Sequence, residues 1–228
     1  VDHADLADNI WTNAAEANGA ANQDDDGNGL TDDVHGYDFV NQTGDMHDFN
    51  SHGTHCAGIA AAVGGNGIGI IGANPDALIM PITVMQSDGT GDVATLIKGI
   101  DYAAANGADI FSMSFGGRDY SAAEEQALGK AYASAVLLAA AGNNGYDIYT
   151  LTPRALAGRM FPAAFQFVLG VQATSDEEGD LAGFSNYDPD GPIYSRYSSE
   201  SELYNYELSA PGVNIMSTIP KGQYRNMN

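Results

Sequence analysis

The sequence predicts an α/β architecture, a mostly parallel sheet with helices on both faces, and three observations predict it. Short apolar runs alternate along the chain with amphipathic helical segments, the rhythm of strands joined by helical crossovers. Glycine clusters and polar turns separate these segments instead of long linkers, and no internal repeat is visible. A length of 228 residues with 44% hydrophobic content is enough chain for one substantial core, so a single domain over 1–228 is expected.

In chain order, Tyr37 to Val40 is the first expected strand, an apolar run that closes a glycine-rich acidic stretch. His52 to Val63 is Ala-rich and predicts a helix. Leu78 to Val84 is the next strand. In Asp92 to Ala105, Val93, Leu96, Ile97, Ile100 and Ala104 fall on one helical face, and Asp92 stands where an N-cap carboxylate belongs. Asp109 to Met113 reads as a strand and Ala122 to Ser134 as a helix of the same pattern. Val136 to Ala141, Phe167 to Gln172 and Leu208 to Ala210 complete the strands. Ser175 to Glu207, rich in Ser, Tyr, Asp and Glu, predicts a surface loop or insertion.

Thirty acidic against eight basic residues give a net charge of -22, which repels nucleic acid and anionic membranes and suits an exported, secreted or cell-surface protein that holds cations. Cys56 is the only cysteine, so no intrachain disulfide forms; it is expected to be a small buried hydrophobe. No apolar run reaches the length of a membrane span, no signal peptide precedes the first element, and residue 1 is Val, so the ends read as those of a processed product.

Ligands of open α/β sheets bind outside the carboxyl ends of the strands. Three segments meet that condition: Ser112-Met113-Ser114-Phe115-Gly116-Gly117, Ala140-Ala141-Gly142-Asn143-Asn144-Gly145, and the helix that begins at His52. The last carries Asn50-Ser51-His52-Gly53-Thr54-His55-Cys56-Ala57-Gly58, which resembles the catalytic-histidine motif of subtilisin-like serine proteases. The resemblance implies a subtilisin-like three-layer fold in which His52 is the general base, acting on polypeptide substrates through an acyl-enzyme. It makes Asn143 the oxyanion-hole donor, with subtilisin itself the reference case for the effect of that amide. Ser114, Phe115 and Gly116 would pair with an extended substrate backbone, with Ala141 and Gly142 beside them and Gly89, Thr90 and Gly91 as the opposite wall.

Ala210-Pro211-Gly212-Val213 and Ser217-Thr218 match the family's approach to its nucleophile, so the resemblance runs over nearly the whole chain outside Ser175 to Glu207. Val1-Asp2-His3-Ala4-Asp5-Leu6 resembles the segment just after the family's Asp-Thr/Ser-Gly, and Tyr224-Arg225-Asn226-Met227-Asn228 resembles the run into its Asn-Gly-Thr-Ser. The expectation is therefore a chain truncated at both ends, lacking the catalytic Asp and Ser and inactive alone, and prone to self-association through exposed sheet edges.

Asp24, Asp26, Asn28 and Asp32 repeat like the ligands of an EF-hand loop, with Leu30 as a backbone ligand and a glycine turn at Gly29; His35 stands where that loop has Glu, and Asp33 is the substitute carboxylate. Calcium is the ion such oxygen ligands predict. Asp5, with Asn66, Ile68 and Ile70 in a glycine-rich loop, resembles the family's strong calcium site. Two other readings stand beside the protease: a non-catalytic, calcium-stabilised peptide-binding or structural module, and a zinc site on His52, His55 and Cys56, which lacks a fourth ligand at suitable spacing.

Overall fold

The computed structural model describes residues 2–148, 158–175, 180–189 and 206–228. The chain divides into two compact units, Val1–Asn106 with Met216–Met227, and Gly107–Ile215 with Asn228.

In the first unit a single turn, α1 (Ala14–Ala17), is followed by strand β1 (Tyr37–Asp38), helix α2 (His52–Ala61), strand β2 (Ile82–Thr83) and helix α3 (Val93–Ala105). β1 and β2 pair in parallel, Tyr37 against Ile82 and Asp38 against Thr83, and Ile10 bridges Ile79. Both strands are shorter than their apolar runs, for local reasons. The Asp38 carboxylate accepts the Val40 and Asn41 N–H groups at 2.9 and 2.8 Å and turns the chain away from the ladder. Pro81 has no N–H to give one.

Helix α3 starts where expected: Asp92 accepts the Thr95 N–H at 3.0 Å and the Thr95 hydroxyl at 2.8 Å. Its buried residues are Gly99, Ile100, Tyr102 and Ala103, while Val93 is exposed, so the buried face is rotated from the one the apolar spacing marks. Gly99 is the reason. A Cβ there would run into Val84 and Ile82, and its absence lets the helix lie close against β2.

Strands β7 (Ile215–Ile219) and β8 (Gln223–Met227) form a two-stranded sheet that no apolar run in the sequence marks. Lys221 and Gly222 at the connection have φ +69 and +67, the left-handed pair of a tight hairpin turn.

The second unit holds β3 (Ile110–Met113), α4 (Ala122–Ala131), β4 (Val136–Ala140), β5 (Leu169–Thr174) and β6 (Leu208–Pro211). They form a four-stranded parallel sheet in the order β3-β4-β5-β6. Burial alternates along β3 and β4, with Phe111, Met113, Leu137 and Ala139 inside. α4 is capped by the Ser121 hydroxyl, which accepts the Glu124 N–H at 3.3 Å, and buries Ala127, Leu128 and Ala131. Of the expected loop at 175–207, 176–179 and 190–205 lie outside the described residues; within the rest Ala182, Ser185, Asn186, Asp188 and Tyr206 are buried. Among the described residues no helix is long and apolar enough to cross a membrane.

Candidate active site

His52 is the first residue of α2 and is exposed. The helix start is capped from a distance. Ser51 takes the N-cap position with φ +83 and makes no side-chain cap bond. Asp48 makes them instead: Oδ2 accepts the Thr54 N–H at 2.9 Å and the Thr54 hydroxyl at 2.6 Å, and Oδ1 accepts from the Asn50 and Ser51 N–H groups at 2.8 and 2.7 Å. Burial pushes the Asp48 carboxyl up, but the bonds from Thr54, Ser51 and Asn50 outweigh it and hold it below its ordinary value. A carboxylate at this helix N-terminus thus fixes the turn that presents His52.

The opposite flank of α2 is gripped by β7 and β8. The Ser217 hydroxyl donates to the His55 carbonyl at 2.7 Å and the Thr218 hydroxyl to the Thr54 carbonyl at 2.8 Å. Gly58 has to be glycine here, since a Cβ would collide with both side chains. His55 is buried and its Nε2 donates to the Arg225 carbonyl at 3.1 Å. Cys56 is half-buried, not fully enclosed as its residue type suggested, and its Sγ lies 3.7 Å from His52 Nε2.

Gly89, Thr90 and Gly91 form the tip of a turn. The Gln86 N–H donates to the Thr90 carbonyl at 2.7 Å, the Gly89 N–H to the Gln86 carbonyl at 2.9 Å, and Met85 bridges Gly91. The Asp88 carboxylate accepts the Thr90 hydroxyl and N–H at 2.6 and 2.9 Å, which lowers its pKa. The Asn50 amide donates to the Ser87 carbonyl at 2.8 Å and so ties this turn to the chain entering α2. His52 and the expected cleft wall therefore share one framework.

In the second unit Met113 pairs with Ala139, so the segments leaving β3 and β4 emerge side by side at the carboxyl edge of the sheet. Ser114, Phe115 and Gly116 run from β3 to Gly117, which exchanges two hydrogen bonds with Phe161, at 2.9 and 2.8 Å. From β4, Ala141 is buried and donates to the Val171 carbonyl at 2.9 Å. Gly142 turns the chain with φ +105, and Asn143 is exposed beyond it. Adjacent strand ends, with the exposed Asn143 and Asn144 between Gly142 and Gly145, are an arrangement that can present an added strand and an amide donor.

The acidic loop gains a carboxylate that no local spacing revealed. Glu16, buried on α1, accepts the Asp25, Asp26 and Asp32 N–H groups at 2.6, 3.3 and 2.9 Å. Carboxylate oxygens of Glu16, Asp24 and Asp26 lie within 4.8 Å of one another. The Asn13 and Asn28 amides bridge Asp26 to Asp33, whose Oδ2 also accepts the Tyr102 hydroxyl at 2.6 Å. Asp33 is fully buried and its Oδ1 has no hydrogen-bond partner, an orphaned oxygen on a carboxyl that the Asn13 and Asn28 amides link to Asp26. A hard, oxygen-seeking cation fits that donor set. Asp32 turns its carboxylate to the Asn22 N–H, Asn28 Oδ1 accepts from Leu30, and Asp24 accepts from Gly27, Asn28 and Gly29. At the second loop Asp5 is fully buried and accepts from the Asn66 amide at 2.7 Å, the Ile70 N–H at 2.9 Å and the Tyr224 hydroxyl at 3.1 Å; Ile68 donates to Asn66 Oδ1 at 3.1 Å. Burial raises the Asp5 carboxyl, yet these bonds carry it below its ordinary value.

The model of the subtilase (peptidase S8) family matches residues 1–228. Subtilisin DY of Bacillus licheniformis is 37% identical over 196 residues, 86% of this chain and 63% of that protein. Subtilisin-like protease 1 of Plasmodium vivax is 32% identical over 227 residues, 99% of this chain and 36% of that protein. The chain thus spans about a third of the Plasmodium relative and less than two thirds of the bacterial one. Among solved structures Sphericase superposes with a TM-score of 0.75 and 26% identity, covering 100% of this chain and 67% of that one. A motif histidine at the head of a capped helix, paired strand ends bearing an exposed asparagine, a subtilisin-like α/β fold and a family match from end to end converge: this chain belongs to the subtilase family.

Proposed function

We propose that the protein is a secreted serine endopeptidase in which His52 is the general base and Asn143 the oxyanion donor. The observation that carries this reading is the exposed His52 at a helix start held by four hydrogen bonds donated to one carboxylate, within a chain matched throughout by the subtilase model. The His52 imidazole takes the proton of a serine hydroxyl as its oxygen attacks the scissile carbonyl, then returns it to the departing amine; water hydrolyses the acyl-enzyme by the same route. The backbone of Ser114, Phe115 and Gly116 aligns the polypeptide as an added strand, and Gly89, Thr90 and Gly91 also bind the polypeptide. The Asn143 amide donates to the oxyanion.

Gly-Thr-Ser occurs nowhere in the 228 residues, so these residues alone form no acyl-enzyme. Calcium would be held by Glu16, Asp24, Asp26 and Asp33, with the Asp5, Asn66, Ile68 and Ile70 loop as a second site, and would stiffen the first unit without taking part in the chemistry. The test is labelling by a fluorophosphonate. The full-length protein becomes labelled at one serine, the His52→Ala variant loses most of the label, and the isolated 228-residue chain takes none. A stoichiometric adduct on any serine of the isolated chain overturns the assignment of roles. An unlabelled full-length protein points to a calcium-stabilised peptide-binding module instead.

A further inference from the structure

Asn186 belongs to a stretch whose composition predicts surface loop, yet it is fully buried and the chain around Asn143 is wrapped about it. Its backbone N–H donates to the Gly142 carbonyl at 2.8 Å, and its side-chain Oδ1 accepts the Asn144 N–H at 3.0 Å and the Tyr146 N–H at 3.2 Å. The Gly142 carbonyl belongs to the peptide group before the Asn143 Cα, and the Asn144 N–H to the peptide group after it. One residue thus holds both peptide planes that meet at Asn143. Once those planes are fixed, so is the direction of the Asn143 Cα–Cβ bond. Neighbouring bonds extend the seam: Gly145 donates to the Phe184 carbonyl at 2.8 Å, Tyr187 to the Tyr146 carbonyl at 3.1 Å and Ile148 to the Tyr187 carbonyl at 2.8 Å. Gly142 supplies the room, because a Cβ there would meet the Asn186 amide nitrogen at 2.8 Å and Met160 at 2.6 Å.

We propose that Asn186 is a positioning residue for the oxyanion donor, aiming the Asn143 amide by clamping the peptide groups on either side of it. This rests on Asn143 having the role assigned above. An exposed side chain on a glycine-flanked turn would otherwise sample several directions, whereas an oxyanion donor acts only when it already points at the place where charge develops. A buried amide oxygen that receives two backbone N–H groups gives the turn that rigidity without touching substrate. Asparagine suits the task because a hydroxyl is too short to span two N–H donors from one buried site, and leucine, of the same shape, accepts nothing.

The experiment measures kcat and KM of the full-length protein on a peptide p-nitroanilide for Asn143→Ala, Asn186→Leu, Asn186→Asp and the Asn143→Ala/Asn186→Leu double variant. Hydrogen exchange at 141–147 is followed in parallel. Asn143→Ala is expected to lower kcat with KM little changed. Asn186→Leu should lower kcat on the order of 10²-fold, again with little change in KM, and speed exchange at Asn144 and Tyr146. Asn186→Asp, which keeps the acceptor oxygen, should restore most of kcat. In the Asn143→Ala background, Asn186→Leu should cost little further, since there is no amide left to aim. Full additivity of the two substitutions, or a normal kcat in Asn186→Leu, overturns the clamp. If Asn186→Leu does not fold, kcat in Asn186→Asp decides: loss of activity with normal exchange at 141–147 overturns the proposal, and retention supports it. A normal kcat in Asn143→Ala overturns the oxyanion assignment itself, and the clamp with it.

Discussion

Glu124 shows at the scale of one residue how burial sets a carboxyl against its fold. It lies on the inner side of α4 with Ala127, Leu128 and Ala131, and burial pushes its carboxyl up to about 7. A carboxyl whose folded pKa is raised binds more protons in the native state, so stability is greatest below the ordinary Glu range near 4.3 and declines as pH rises toward about 7. Glu124→Gln is expected to abolish that decline, raising stability at pH 8 by roughly 1–3 kcal/mol and leaving it nearly unchanged at pH 4. Urea midpoints at the two pH values check this, and equal gains at both would show that charge is not the cause. Single residues were also the hardest part of the site to read. His52 and Asn143 stand in distinctive local sequence, but Asp48, Glu16 and Asn186 are ordinary polar residues whose partners lie elsewhere in the fold. Asn186 reaches back about 40 positions to Asn144 and Tyr146, a separation that no spacing rule links.

Among the elements, α2 carries the proposed general base and depends on a cap outside its own boundary. Asp48→Ala is expected to cost about 0.5–2 kcal/mol through the lost cap bonds, with Asp48→Asn recovering part of it. Because the hydrogen bonds depress the Asp48 pKa, the contribution is fully present above the ordinary Asp range and is lost as pH falls below it. Thermal melts should show a larger variant penalty at pH 7 than at pH 3, since the contribution fades only as pH falls through the lowered Asp48 pKa. Three helices and six strands were legible from short apolar runs, from the apolar face of α3 and from the Ala-rich sequence of α2, and Asp92 was legible as a cap because it adjoins the helix it serves. Strand ends were not, where a side chain such as Asp38 captures the next N–H groups. β7 and β8 were missed since Ser217, Thr218, Arg225 and Asn226 give them a polar sequence, and their place comes from hydroxyl and carbonyl bonds to α2.

For the whole molecule the dominant quantity is a net charge of -22, part of it crowded into the acidic loop around Glu16, Asp24, Asp26 and Asp33. A cation bound only by the folded state adds stability by mass action, about 2.7 kcal/mol at a hundredfold excess over Kd. Millimolar calcium should therefore raise the melting temperature and a chelator lower it, with Glu16→Gln and Asp26→Asn each removing most of the difference. Identical melts with and without calcium would show that the amides of Asn13 and Asn28 already suffice to hold these carboxylates together. The first unit is also closed by contacts very distant in sequence. His3 donates to the Gln223 carbonyl across 220 positions, the Tyr224 hydroxyl reaches Asp5 across 219, and Ser217 and Thr218 reach α2 across 162 and 164. The β3-α4-β4 portion of the second unit, by contrast, closes over neighbouring sequence. On a ribosome the second unit can begin to organise while the first still waits for residues near its far end, since distant pairings form late and slowly. The packing of α2 against β7 is then among the last contacts to assemble, so the helix that begins at His52 is secured on that flank only when nearly all of these residues have emerged.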